Sequence, residues 1–139
     1  MPRTGGCLCG AIRYAIEGDP VAYYLCHCTD CQHASGGAYA ACAMVREDDF
    51  RLLRGEPRRF ERRADSGNIV VRAFCGDCGS QLFSIGPSRP GSRVVRVGTL
   101  DDTRRSEPQL HIWVDSALRW AIPPDDAPRY AKSPDSDSR

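Results

Sequence analysis

Cysteine is the residue type whose number and spacing in this sequence suit it to chemistry. The chain has eight cysteines in 139 residues. Seven of them stand in three short motifs, CLC at residues 7–9, CHCTDC at 26–31 and CGDC at 75–78, and Cys42 stands alone in an apolar run. Cysteines at such short spacing indicate metal binding. The first residues, MPRTGGC, contain no apolar stretch of the kind found in secretory signals, so we expect a reducing, cytoplasmic location and no disulfide framework.

The CGDC motif is typical of a zinc knuckle, in which two sulfurs three residues apart bind one ion and a following glycine, here Gly79, allows a tight turn. A knuckle supplies two of the four ligands that tetrahedral zinc takes. In an extended segment, the side chains of the CLC cysteines fall on one face because they are two residues apart. We therefore predict a structural zinc site, called here the four-cysteine site, that consists of Cys7, Cys9, Cys75 and Cys78.

The CHCTDC motif differs in kind because it places three sulfurs within six residues. We call Cys26, Cys28 and Cys31 the three-cysteine site. Such a segment can wrap one metal ion and leave a fourth position open, as catalytic zinc sites do, whereas structural zinc sites are closed. We predict an open site, whose fourth position takes water or a substrate thiol. The residues that would close it instead are Cys42, His27 and His33.

An open site of three thiolates favours a thiol as its substrate. Three anionic sulfurs outweigh the charge of Zn²⁺ and weaken its action on water as a Lewis acid. A fourth thiolate is a soft ligand that suits such a site, and coordination deprotonates it. Glutathione is the abundant thiol of the cytoplasm, so we expect glutathione or a related small thiol adduct as the partner and two zinc ions per chain as the cofactors.

Length and composition exclude several other classes of protein. A chain of 139 residues is close to one average domain. Its net charge of +1 is far from that of a dedicated nucleic-acid binder, so we expect no nucleic-acid partner. The longest apolar run, residues 38–45, has eight residues against the roughly 20 of a membrane-spanning helix. We predict a single zinc-binding domain over residues 1–130 and a polar, disordered tail over 131–139.

The elements that must position these cysteines are mostly strands. Ile12, Tyr14 and Ile16 alternate with other residues, which predicts a strand at 11–16 with these three side chains on one face. Gly, Pro and Ser-Gly breaks separate further strand candidates. These lie at 21–25, 38–45, 58–63, 69–74, 81–85, 94–97 and 110–114. Helical periodicity is weak and predicts only short pieces near 29–34 and 48–53, so the chain is expected to be mainly β.

A histidine outside the cysteine motifs, His111, is a further candidate. It alternates in phase with Trp113 in the segment LHIW and would share its face in a strand. Two roles remain open for it. It is either a histidine at the edge of the core that bonds to the backbone, or a group that belongs to the active site or supports it.

Several motifs in a fixed order resemble those of the glutathione-dependent formaldehyde-activating enzyme family, which also includes centromere protein V. The motifs are GCLCG at 6–10, CHCTDC at 26–31 followed by Ser35 and Gly36, FCGDCG at 74–79, GTLDD at 98–102, PQLHIW at 108–113, Trp120, and PRY at 128–130. The resemblance covers about residues 5–130. In this sequence Gln32 and His33 follow Cys31, where many relatives carry basic residues, so arginines elsewhere are the candidates for binding the carboxylates of glutathione.

The resemblance implies a β-tent fold, with antiparallel sheets stabilised by zinc and few helical turns. It implies that the four-cysteine site is structural and that the three-cysteine site is functional. It also implies carbon–sulfur lyase chemistry, the formation of S-hydroxymethylglutathione from formaldehyde and glutathione. The alternative is a non-catalytic zinc module that carries a thiol or binds a partner.

Overall fold

The structure is a computed structural model that describes residues 2–65, 67–87 and 89–134. Within these ranges the chain forms ten strands and one α-helix, which confirms the mainly β prediction. The strands are β1 (Arg3–Gly6), β2 (Arg13–Ile16), β3 (Ala22–Cys26), β4 (Ala40–Arg46), β5 (Phe50–Arg54), β6 (Arg58–Arg63), β7 (Ile69–Phe74), β8 (Gln81–Ile85), β9 (Ser92–Arg96) and β10 (Leu110–Ile112). The helix α1 is Thr29–Ser35, and short 3-10 turns cover Glu47–Asp49, Val97–Thr99, Val114–Ser116 and Arg119–Ala121.

The strands form two sheets. In the smaller sheet β2 lies between β1 and β5, and the larger sheet has the order β10-β3-β4-β9-β8-β7-β6. The pairings are antiparallel, as predicted, except that β10 lies parallel to β3. The parallel pair puts Ile112 beside Cys26. The chain that follows β10 is therefore held next to the three-cysteine site.

The main core lies between one face of the larger sheet and the smaller sheet. Tyr14 and Ile16 of β2 are buried there with Phe83 of β8 and Val95 of β9. The predicted alternation in this segment is confirmed, because Ile12 is buried in the same cluster. Burial of one such large apolar side chain contributes about 1.5–3 kcal/mol. This core fixes the strands whose ends carry the cysteines.

The opposite face of the larger sheet carries the three-cysteine site. Cys42 of β4 packs there with Cys26 and Cys31, and Val94 of β9 lies against the same cluster. Side chains alternate along a strand, so β4 serves both faces at once. Its next residue, Ala43, points the other way and is buried in the main core.

The helical piece predicted near 48–53 is wrong. A 3-10 turn ends at Asp49, and β5 begins at the next residue. Phe50 pairs with Ile16 across the smaller sheet, and its ring stacks on that of Tyr14 at a centroid distance of 5.2 Å. These contacts come from the neighbouring strand and outweigh the local tendency toward helix.

Strand β1 has no counterpart in the sequence predictions because half of it is glycine. Gly5 lies against the ring of Tyr14 and the carbonyl of Thr99, where a Cβ atom would overlap both. The close approach therefore requires glycine. Because glycine has no side chain, β1 lacks the alternating pattern from which strands are predicted.

Other predicted elements agree more closely with the structure. The strands at 58–63, 69–74 and 81–85 have the predicted bounds, and the short helix near 29–34 is α1. The strand predicted at 110–114 ends at Ile112 because Trp113 adopts a left-handed conformation with φ of 59°. Trp113 thus does not continue the strand face of His111 as predicted.

The domain boundary at residue 130 stays a prediction. The carbonyl of Lys132 accepts a hydrogen bond of 2.9 Å from the N–H of Trp113, and that of Ala131 accepts one from Asp115. Residues 135–139 of the predicted tail lie outside the described residues. No helix in the described part of the chain is both long and apolar enough to span a membrane.

Candidate functional site

The four-cysteine site brings together two chain segments that are far apart in sequence. The Sγ atoms of Cys7, Cys9, Cys75 and Cys78 all lie within 4.8 Å of one another. The Sγ–Sγ distance is 3.6 Å between Cys7 and Cys9 and 3.8 Å between Cys9 and Cys75. Sulfurs placed tetrahedrally around zinc at about 2.3 Å lie about 3.8 Å apart. The spacing of the four sulfurs therefore fits a zinc ion.

The first segment of this site is a turn and not the extended segment considered for it in the sequence analysis. Cys7 and Cys9 do not share the face of an extended strand, because they lie in a turn after β1. The carbonyl of Cys7 accepts a hydrogen bond of 3.1 Å from the N–H of Gly10, whose φ is 80°. The turn brings the two sulfurs together just as an extended segment would.

The second segment is the predicted tight turn. The carbonyl of Cys75 accepts a hydrogen bond of 2.8 Å from the N–H of Gly79, which has a φ of 80°. The hydroxyl of Ser80 lies 3.2 Å from Sγ of Cys78 and lowers the pKa of that thiol to about 5. The N–H of Leu8 donates to the same hydroxyl at 3.0 Å and so joins the two turns.

The three-cysteine site is formed where β3 runs into α1. Cys26 ends β3, Cys28 caps the N-terminus of α1, and Cys31 is a buried residue of that helix. The Cys26 thiol donates to Sγ of Cys28 at 3.5 Å, and the N–H of Cys31 donates to the same sulfur at 3.3 Å. All three Sγ atoms lie within 4.8 Å of one another, a spacing that fits three sulfur ligands of one zinc ion.

Within the described residues, the group of ligand atoms at this site contains these three sulfurs alone. Cys42 lies nearby but its thiol donates to the carbonyl of Ala40 at 3.5 Å, and Arg96 donates to its sulfur at 3.8 Å. Burial raises the pKa of Cys42 to about 12, so it stays a neutral thiol at pH 7. Cys42 thus packs beside the cluster but is not one of its three grouped sulfurs.

The three-cysteine site stabilises a thiolate. The neighbouring thiols of Cys26 and then Cys28 lower the pKa of Cys31, although burial opposes them. The positive charges of Arg96 and Arg72 lower it further. Both arginines therefore act electrostatically on the sulfur cluster, a contribution that lies far from the cysteine motif in sequence.

His27 lies between two of these cysteines, but its ring turns to a buried polar chain. Its Nε2 lies 3.1 Å from Nδ1 of His111, and Nε2 of His111 lies 3.0 Å from each carboxylate oxygen of Asp125. The carboxylate of Asp125 accepts a hydrogen bond from Nε2 of His111. When both histidines are neutral, Nδ1 of His111 therefore accepts a hydrogen bond from Nε2 of His27. Burial lowers the pKa of His27, and its Nδ1 has no partner among the described residues.

The hydrogen bonds of His111 combine features of the two roles that the sequence left open, a buried histidine and a group that supports the site. His111 is completely buried, and its backbone N–H and carbonyl bond to Pro128 and Tyr130. Its ring, however, connects the loop of the three-cysteine site to Asp125. Sequence reasoning missed Asp125, which lies in a proline-rich loop with no motif of its own.

We expect Asp125→Asn to lower the melting temperature, because the hydrogen bond from His111 would lose its charged acceptor. That hydrogen bond lowers the pKa of the Asp125 carboxyl. Its stabilising effect is therefore complete above the ordinary aspartate pKa and is lost as the pH falls through the lowered value. Melting curves should show a gap between variant and wild type that narrows in acid, and nitrogen NMR should show mixed tautomers of His111.

The matched control is Asp126→Asn, which changes an exposed neighbour. This control should melt like the wild type at every pH. Equal melting temperatures for Asp125→Asn and Asp126→Asn at neutral pH would contradict a role for the Asp125 carboxylate.

Gln32 and His33, which follow the last cysteine of the motif, point to different environments. The amide of Gln32 donates at 2.9 Å to the carbonyl of His27 and at 2.9 Å to that of Ser116. Gln32 therefore ties the cysteine loop to the segment after β10. His33 is exposed, and its Nδ1 lies 2.9 Å from the carbonyl of Thr29.

A pocket of about 820 Å³ lies between α1 and the outer strands of the larger sheet. Its lining residues are Thr29, Asp30, His33 and Ala34 of α1, Phe60 and Arg62 of β6, Arg72 and Phe74 of β7, and Gly79 and Gln81. Its volume is in the range of pockets that hold small organic ligands. Thr29 and Asp30 lie between Cys28 and Cys31 in sequence, so the pocket wall includes neighbours of two of the three cysteines, although none of the three lines the pocket itself.

The fold and the site define a mainly β protein with two cysteine clusters spaced as zinc sites. The chain belongs to the glutathione-dependent formaldehyde-activating enzyme family, whose sequence profile matches residues 2–116. A crystal structure of a Rhodobacter sphaeroides protein shares the fold at 21% sequence identity, with a TM-score of 0.58 over 91% of this chain and 98% of that chain. No curated protein matches the sequence.

Proposed function

We propose that this protein is a zinc-dependent carbon–sulfur lyase that acts on a glutathione-type thiol adduct, with one zinc ion in each cysteine site. The observation that carries the proposal is a cluster of three sulfurs beside a pocket, in contrast to the four sulfurs of the other cluster. Membership of the family supports glutathione and formaldehyde as reactants. In this proposal the four-cysteine site is structural, and the three-cysteine site is functional.

Cys26, Cys28 and Cys31 would hold the functional ion, and a bound zinc ion would supply the positive charge that favours the thiolate form of an incoming thiol. The reaction joins the thiol sulfur to the carbonyl carbon, and the thiol proton ends on the carbonyl oxygen, so no further reactant is needed. The chain's part is to hold the two reactants together in the pocket beside α1. Good orientation of two reactants can contribute up to about 7–11 kcal/mol.

The charges around the site support an anionic substrate. Three thiolates and one divalent ion leave a net negative charge, which would repel another anion. Arg72 and Arg96 lower the pKa of Cys31 and so offset this charge. Of the two, Arg72 lines the pocket beside α1, so it is our candidate for binding a carboxylate of glutathione.

A reducing compartment suits this chemistry. All eight cysteines are free in the structure, and both cysteine sites need thiolates rather than disulfides. We propose a cytoplasmic location for the protein and, separately, a single zinc-binding domain over residues 1–130. Its near-neutral charge supports a small-molecule partner rather than a nucleic acid.

The test is the rate at which free formaldehyde and glutathione exchange with their adduct, measured by exchange NMR. We expect the zinc-loaded protein to accelerate this exchange at least about tenfold over the spontaneous reaction. Binding of glutathione without acceleration would favour the thiol-carrier alternative. Neither binding nor acceleration would favour a non-catalytic module.

A further inference from the structure

The outer wall of the pocket alternates aromatic and cationic side chains. In the pairing of β6 with β7, Phe60 lies opposite Arg72, and Arg58 lies opposite Phe74. Residues directly opposite each other in an antiparallel pair share one face of the sheet. The pocket wall thus contains two phenyl rings with a guanidinium beside them, and this face looks toward α1.

Phe60 is the unusual member of this wall. Its side chain is 56% exposed although it is large and apolar, and it lies on the edge strand of the larger sheet. All six residues of β6 are exposed, and they comprise four arginines, one glutamate and this phenylalanine. Such a charged edge repels a second copy of itself. A small ligand in the pocket is therefore the occupant that suits the exposed ring.

Arg72 lines the pocket and carries a guanidinium Nε atom that is unpartnered in the described structure. This atom is buried and has no hydrogen-bond partner among the described residues. Arg62, by contrast, already contacts Asp30, with 3.3 Å between Nε and the carboxylate oxygen. Arg72 also lines the pocket together with Thr29 and Asp30, which lie between Cys28 and Cys31 in sequence. An anion in the pocket would therefore find its cationic partner in Arg72.

We propose that the pocket selects thiol adducts that carry an apolar, phenyl-sized substituent on the sulfur together with a carboxylate. Phe60 and Phe74 contact the substituent, and Arg72 binds the carboxylate. A hydroxymethyl group is small and polar and gains nothing from two aromatic rings. The inference deepens the proposed function, since it names the substrate class of the same site, and it rests on that function for the thiol.

The experiment uses calorimetry on the zinc-loaded protein with S-benzylglutathione and S-methylglutathione. Neither probe has a free thiol, so their binding does not require turnover. We expect the benzyl probe to bind at least about tenfold more tightly than the methyl probe. Phe60→Ala should bring the two affinities close together, and the variant should fold because the ring is exposed.

Arg72→Gln should weaken the binding of both probes by about tenfold to a hundredfold and leave their ratio unchanged, as expected for a lost charge-assisted hydrogen bond. The matched control is Arg59→Gln. Arg59 is an exposed neighbour on β6 that faces away from Phe60, because successive side chains alternate. This control should bind both probes as the wild type does.

Equal affinities for the two probes in the wild type would overturn the proposal, as would equal effects of Arg72→Gln and Arg59→Gln. Sedimentation of the wild type and of Phe60→Ala tests whether a second copy of the chain, rather than a ligand, covers Phe60. A wild-type dimer that Phe60→Ala dissociates would place the ring in a dimer interface and would also overturn the proposal. The exchange measurement separates the two proposals. Acceleration without a benzyl preference would support the lyase function and contradict the pocket proposal. A benzyl preference without acceleration would support the pocket proposal and contradict the lyase function.

Discussion

Cys78→Ser should leave the protein unfolded or insoluble with the four-cysteine site empty. This site links residues 7 and 78, so it fastens the first turn of the chain to a turn after β7. Cys7 and Cys75 are also part of the main core. Structural zinc contributes on the order of 10–16 kcal/mol of apparent binding free energy in small peptides, against a total stability of about 5–15 kcal/mol for a domain. Loss of a ligand therefore threatens the whole fold.

Circular dichroism, melting curves and metal counts test this expectation. Asp77→Asn is the matched control because Asp77 is exposed and lies inside the same turn without being a ligand candidate. This control should keep the wild-type melting temperature and two zinc ions. A folded Cys78→Ser protein that still holds two zinc ions would contradict the structural role.

Cys28→Ser should give the opposite result, a folded protein that retains one zinc ion and no longer accelerates the exchange reaction. The three-cysteine site closes only a six-residue segment, so the fold depends on it less. Cys28 also caps α1 by accepting a hydrogen bond from the N–H of Cys31. Serine is among the preferred residues at this position, so the substitution keeps the cap while removing a sulfur.

Cys42→Ala provides the control for a change of a buried cysteine beside the site. This variant should keep two zinc ions, because Cys42 is outside the sulfur cluster. If Cys28→Ser unfolds as severely as Cys78→Ser, the three-cysteine site is structural and the lyase proposal fails.

The cysteine spacing carried most of what the sequence could say about the site. Short motifs such as CHCTDC and CGDC bring their own sulfurs together through local turns, so their grouping follows from the sequence. The conformation around Cys7 and Cys9 could not be predicted from their spacing, since a turn and an extended strand can both bring two sulfurs close. The predicted grouping of Cys7 and Cys9 needed only a short distance between their sulfurs, and both conformations provide it.

Other parts of the site depend on contacts between distant segments and had no local signal. Asp125 reaches His111 from a separate loop, and Arg72 faces α1 only because of the register of β7. The exposed Phe60 was visible within a predicted strand, but its role on the pocket wall depends on which strand it pairs with. Strand pairing also explains why the segment after Asp49 forms a strand rather than the predicted helical piece.

The most direct test of the central claim is a glutathione titration of the protein with cobalt in both cysteine sites, followed by visible absorption. We expect millimolar glutathione to change the spectrum of one cobalt ion per chain and to leave the other unchanged. The change should be missing in Cys28→Ser, which keeps only the structural ion. A spectrum that does not respond to glutathione, or that responds equally in Cys28→Ser, would contradict an open thiol-binding site formed by Cys26, Cys28 and Cys31.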